Sequence, residues 1–136
     1  MYLTYSEYQS MGGTLPETIF NDYEYQAESL INYRTFNRLV NDEVIPTAVK
    51  RLVKHIIDLV YKQSSSMVLG NDENSSGTHI LAQSNDGVSI QYSSMASTDL
   101  FTLCDKEIQK AISLYLQGVS NSAGHNLLFR GLYKGE

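Results

Sequence analysis

A mainly α fold is predicted by three features of the chain: a small bundle of three long helices, with a short N-terminal helix, one β-hairpin and an extended C-terminal tail. Apolar residues recur at three- and four-residue steps along three long stretches, the signature of one buried helical face. Capping residues or prolines stand at the start of each stretch. Two short β-prone runs flank Asn85-Asp86-Gly87, which is turn chemistry.

Thr4 and Glu7 have capping-box spacing, and Gly12-Gly13 follows, so a short helix is expected over residues 5–11. Thr14, Pro16 and Glu17 repeat the start signal. Phe20, Tyr23, Ala27, Leu30, Ile31 and Arg34 then place a long helix over residues 16–38. Asn41-Asp42-Glu43 interrupts the pattern, and Pro46 suits the first turn of a third helix. Its stripe is Val49, Leu52, Val53, Ile56, Leu59 and Val60. Residues 63–77, rich in Ser, Asn, Asp and Gly, lack periodicity and are expected to form a mobile loop.

A hairpin is expected over residues 78–92. A three-residue loop would set Ile80 and Ala82 across from Tyr92 and Ile90, with Gly87 in the left-handed position of a bulged turn. Ser94 and Ser97 are candidate caps for the last long helix, with Leu100, Cys104, Ile108, Ala111, Ile112 and Tyr115 on one face and Gly118 at its end. Residues 119–136 form the tail, glycine-punctuated around Leu127-Leu128-Phe129-Arg130. The core is expected from Phe20, Ala27, Ile31, Val53, Ile56, Ile108 and Ile112.

The chain has 136 residues, 42% apolar and 18% charged, which suits a single globular domain over residues 1–136 and excludes global disorder. The apolar runs are too short for a membrane span, and the first residues lack the pattern of a secretory signal, so synthesis in a cytoplasm is expected. A net charge of −5 disfavours tight binding to nucleic acid through phosphates. One cysteine, Cys104, leaves no internal disulfide, and on an apolar helix face it is expected to act as a small hydrophobe.

Catalytic chemistry finds no footing in the sequence. His55, His79 and His125 lack metal-ligand spacing, and no phosphate loop, nucleophile elbow or dinucleotide fingerprint occurs. Asp22 and Glu24, two apart on a helix, diverge and are expected on a solvated face. No cofactor, no metal and no enzymatic activity are expected. Lys50, Arg51 and Lys54 make the one concentrated basic patch, either a solvated row with Asp58 or a docking surface. Tyr2, Tyr5 and Tyr8 recur at three-residue steps and are expected to pack in the core.

Several strings in this order resemble a known family. They are Leu3-Thr4-Tyr5-Ser6-Glu7-Tyr8 with Met11-Gly12-Gly13-Thr14, then Tyr33-Arg34-Thr35-Phe36-Asn37-Arg38-Leu39, then Ser84 to Ser93, and finally Leu116-Gln117-Gly118-Val119 before Leu127-Leu128-Phe129-Arg130-Gly131. Together they are similar to the small head-tail connector proteins, also called head-completion or adaptor proteins, of tailed phages and prophages of Gram-positive bacteria.

The resemblance implies a virion structural subunit at the head-tail neck. It would form a ring of twelve copies beneath the portal protein, extend the DNA channel and receive the next neck component. Double-stranded DNA would pass without sequence-specific binding, and no membrane is involved. Candidate interface residues are Leu127, Leu128, Phe129 and Arg130 in the tail, where the alternative is that Leu128 and Phe129 fold back onto the chain's own helices and close the core, then Lys50, Arg51 and Lys54 on the third helix, and Asp86, Ile90 and Tyr92 in the hairpin. The competing reading is a monomeric peptide- or protein-binding module of a prophage or its bacterial host, capturing a partner on the hairpin edge.

Overall fold

In the computed structural model, residues 1–69, 79–83, 90–93 and 97–134 are described. Four helices follow in order among them: α1 (Tyr5–Ser10), α2 (Glu17–Arg34), α3 (Thr47–Leu69) and α4 (Ser97–Leu116). Two short strands, β1 (His79–Gln83) and β2 (Ile90–Ser93), lie between α3 and α4 and pair antiparallel. The described part is mainly helical.

Local chemistry accounts for the helix ends. The Thr4 hydroxyl accepts the Glu7 N–H and the Glu7 carboxylate accepts the Thr4 N–H, a complete capping box that starts α1. Gly13 follows because the Tyr8 ring lies over it: a Cβ there would stand 2.2 Å from a ring carbon. Pro16 and Pro46 sit just before α2 and α3, where their carbonyls accept the first helical N–H groups, from Phe20 at 2.9 Å and from Val49 at 2.9 Å. Gly118, at φ +74°, supplies the left-handed turn after α4.

The helix α3 is the centre of the bundle, packing against α2 on one side and α4 on the other, while α1 rests on α2. Its residues Val49, Leu52, Val53, Ile56 and Ile57 are fully buried. Phe20, Ala27 and Ile31 from α2 and Ile108, Ala111, Ile112 and Leu116 from α4 complete the same core, so every residue expected there is buried. Tyr8 packs at a tilt against Phe20 with ring centroids 4.8 Å apart, and Tyr2 is buried beside Leu3.

Four expectations are corrected. The long second helix ends at Arg34, not at residue 38, because the Thr35 hydroxyl and N–H both turn back to the Ile31 carbonyl and Phe36 and Asn37 adopt positive φ, 54° and 58°. Residues 63–69 are helical, not loop: Ser64 and Ser65 bond their hydroxyls to the carbonyls of Val60 and Tyr61, at 2.9 Å each, and α3 continues through a polar stretch to Leu69. Residues 70–77 lie outside the described residues. In the strand pair Ile80 stands across from Tyr92, but Ala82 faces Gln91 rather than Ile90, since the register shifts between Ile80 and Ala82. The turn with Asp86 and Gly87 lies outside the described residues.

The fourth correction concerns Glu24. Asp22 is exposed, but Glu24 is buried, where its Oε1 accepts the N–H groups of Tyr2 at 2.7 Å and Leu3 at 3.3 Å. A side chain expected in solvent therefore anchors the N-terminal segment on α2.

Candidate interaction surface

The turn after α2 builds the most developed surface among the described residues. A phenylalanine at positive φ is uncommon and costs free energy that its surroundings must offset. Here the turn swings Arg38 inward to a buried position, where its guanidinium donates to the carbonyls of Asn126, at 3.1 Å, of Phe129 and of Gly131, at 2.7 Å. The Tyr133 ring centroid lies 5.0 Å from the same guanidinium. One side chain thus gathers backbone groups more than eighty residues away.

Further bonds brace the same junction. Asn121 donates its side-chain amide to the Arg38 carbonyl at 3.1 Å, and the Asp42 carboxylate accepts the Ser122 N–H and hydroxyl. The Tyr133 hydroxyl accepts the Asn126 N–H at 2.9 Å, and its ring stacks on His125 at 4.2 Å. Leu127 inserts into the core with its N–H on the Val119 carbonyl, and Ser120 bridges to Asn126. The C-terminal segment through residue 134 is folded back on the bundle, which corrects the picture of a purely extended tail.

Each sequence candidate now has a place. Leu127 is spent on the chain's own core, whereas Leu128 is half-buried and Phe129 and Arg130 are exposed. Lys50 is paired with Glu7, and Lys54 with Asp58 at 2.7 Å, so the basic row on α3 is largely neutralised by carboxylates. Arg51 is exposed and shares a hollow of about 380 Å³ with Met11, Lys54, His55 and Tyr115. Asp86 lies outside the described residues, and for Ile90 and Tyr92 the backbone pairing of β2 is what is described.

Two hollows flank the Phe36-Asn37 turn. One, of about 710 Å³, lies between the end of α2 and α4 and is lined by Tyr33, Arg34, Phe36, Ile112, Leu128 and Arg130 among others. The other, of about 540 Å³, has Phe36, Asp42, Asn121, Ser122, Arg130 and Leu132 in its wall. Arg130 belongs to both. Tyr33 is 78% exposed, Phe36 54% and Leu132 85%, so large apolar side chains stand in water around one braced junction. Such grouping is characteristic of contact surfaces.

Sequence reasoning gave no role to Arg38, Tyr33 and Phe36 and placed Glu24 in solvent. The usable signal was Thr35 followed by Phe36-Asn37, a helix-stopping hydroxyl beside a residue tolerant of left-handed backbone.

The titratable groups point to structure. Burial first, and then the nearby Glu28 carboxylate, push the Tyr2 hydroxyl up to about 12. The bond from Lys50, followed by those from Thr4, holds Glu7 down at about 2. Burial and the neighbouring Asp105 and Glu107 push the Cys104 thiol up, away from a reactive thiolate. His55 stacks on Tyr115 at 5.7 Å. Among the described residues no three His, Cys, Asp or Glu side chains gather closely enough to hold a metal ion, and no helix is long and apolar enough to cross a membrane. Compared with family models, with curated proteins and with solved structures, the chain finds no match in any of the three.

Proposed function

We propose that the chain is a structural connector subunit of a phage neck. It works without enzymatic chemistry, assembling as a ring beneath the portal, continuing the DNA channel and seating the next neck component. The observation that carries this reading is the cross-braced junction of α2 with the C-terminal segment, which holds Tyr33, Phe36, Phe129, Arg130 and Leu132 out to solvent on a fixed frame. A surface so placed serves contacts between proteins, and the ordered strings that resemble connector proteins indicate which contacts. In this reading the β1–β2 hairpin and the exposed part of the C-terminal segment meet neighbouring subunits or the portal. The acidic balance keeps attraction for passing DNA weak.

The test is disruption of the gene in the phage or prophage that encodes the chain. Full heads that lack joined tails, restored by the gene supplied in trans, are expected. Tailed, infectious particles from the disrupted genome would refute the proposal.

A further inference from the structure

The hollow between α2 and α4 holds two guanidinium groups, Arg34 and Arg130, with no carboxylate partner among the described residues, and none of its lining residues is acidic. This is unusual in a chain of net charge −5. The floor is Ile112 and Leu128, and the exposed aromatic rings of Tyr33 and Phe36 stand beside the cations. Arginine and aromatic side chains around an apolar floor form the composition of an interface centre. A phosphate backbone would engage the guanidiniums and leave the apolar floor idle. A segment with both leucines and a carboxylate uses all of it.

The outer face of α4 offers that segment. Leu103, Glu107, Lys110 and Leu114 follow at four-, three- and four-residue steps, so they form one stripe, which runs beside Ala111 on the side of α4 away from the buried Ile108 and Ile112. Leu103 is 49% and Leu114 64% exposed, and Glu107 makes no ion pair among the described residues. The stripe is about 16 Å long at 1.5 Å per residue.

The geometry points to a contact between copies, in which α4 of one copy lays Leu103 and Leu114 against Tyr33, Phe36 and Leu128 of the next, sets Glu107 between Arg34 and Arg130, and keeps the Lys110 ammonium off those two cations, against the Tyr33 and Phe36 rings. The hollow and the stripe are separate surfaces of one subunit. Engaged head to tail, the contact leaves one of each free at its ends and propagates until a ring closes, whereas reciprocal engagement would stop at a two-fold dimer; the sedimentation series separates the two, and a series ending at dimer would overturn the head-to-tail form. Its role in a neck ring rests on the connector reading, but its test does not.

Sedimentation velocity of the full chain over a concentration series up to the millimolar range is the test, applied to wild type, R130E, E107R and an equimolar mixture of the two variants. Wild type is expected to self-associate and each variant to associate about tenfold or more weakly, since each brings like charges together. The mixture is expected to recover association, because the acidic hollow of the R130E chain accepts the basic stripe of the E107R chain, and the unaltered hollow of the latter accepts the unaltered stripe of the former. Both positions are exposed, so each variant is expected to melt at the wild-type temperature, which circular dichroism checks. A monomeric wild type, variants that associate like wild type, a mixture that fails to recover, or variants that change only binding to a double-stranded DNA probe would each overturn the contact. Gene disruption that still yields tailless heads would then leave the connector reading standing without it.

Discussion

Replacing Arg38 by alanine removes the centre of the brace. Its guanidinium serves the carbonyls of Asn126, Phe129 and Gly131, and it packs between the rings of Phe36, at 5.4 Å, and Tyr133, at 5.0 Å. Bonds to a charged donor contribute about 1.5 to 3 kcal/mol each. Three do not add fully, because water reaches the carbonyls once the loop loosens. A loss of about 3 to 4 kcal/mol is expected, near the range for breaking a buried charged contact. Urea denaturation followed by far-ultraviolet circular dichroism measures it. Arg38→Lys keeps the charge but not the planar fork that reaches several carbonyls at once, so it should recover less than half of the loss. Amide hydrogen exchange should show Leu127 and Asn121 losing protection in R38A while the centre of α3 stays protected. A loss below about 1 kcal/mol, or a lysine variant as stable as wild type, would refute the assignment of Arg38 as the anchor of the C-terminal segment.

Three further outcomes follow from the same packing. Truncating Ile56 or Leu127 to alanine should each cost about 2 to 5 kcal/mol in denaturant titration, as both are fully buried. Glu24→Leu leaves the Tyr2 and Leu3 amides without their acceptor and should cost about 2 kcal/mol or more, accompanied by faster exchange of those two amides. Glu7, held down at about 2, contributes stability that is complete above the ordinary glutamate value of about 4.3 and is lost as pH falls through 2. Lys50→Met removes the largest cause of that shift, so the difference between wild type and K50M in acid titration of stability should shrink below pH 4 and be full at pH 6, where a pH-independent difference would count against the pairing.

What could be read from the sequence divides by range. The Thr4–Glu7 capping box and the core positions of α2, α3 and α4 follow from spacings of three to four residues, and periodicity exposes them. The anchor roles of Arg38 and Glu24 could not be read that way. Arg38 meets its carbonyl partners 88 to 93 positions later, and Glu24 meets Tyr2 and Leu3 only when α2 returns past the N-terminal segment. The periodic residues end at Arg34 and no glycine or proline follows before residue 38, so the sequence alone draws the second helix too long, and Leu39 is buried from the turn beyond it. Leu127 looked like part of a docking cluster for a related reason: an apolar residue in a glycine-punctuated segment is ambiguous until the bundle offers it a place. Polar composition likewise hid the continuation of α3 through Ser64 and Ser65, whose hydroxyls return to the helix's own carbonyls.

If the connector proposal is right, a tailed phage or prophage encodes the chain, and electron cryomicroscopy of the neck of its particles tests that proposal most directly. The account predicts a ring of this chain beneath the portal, with the α2–α4 hollow of each copy covered by its neighbour and the DNA channel passing through the centre. A neck whose density leaves no place for the helical subunit, or particles from which the chain is absent, would contradict it.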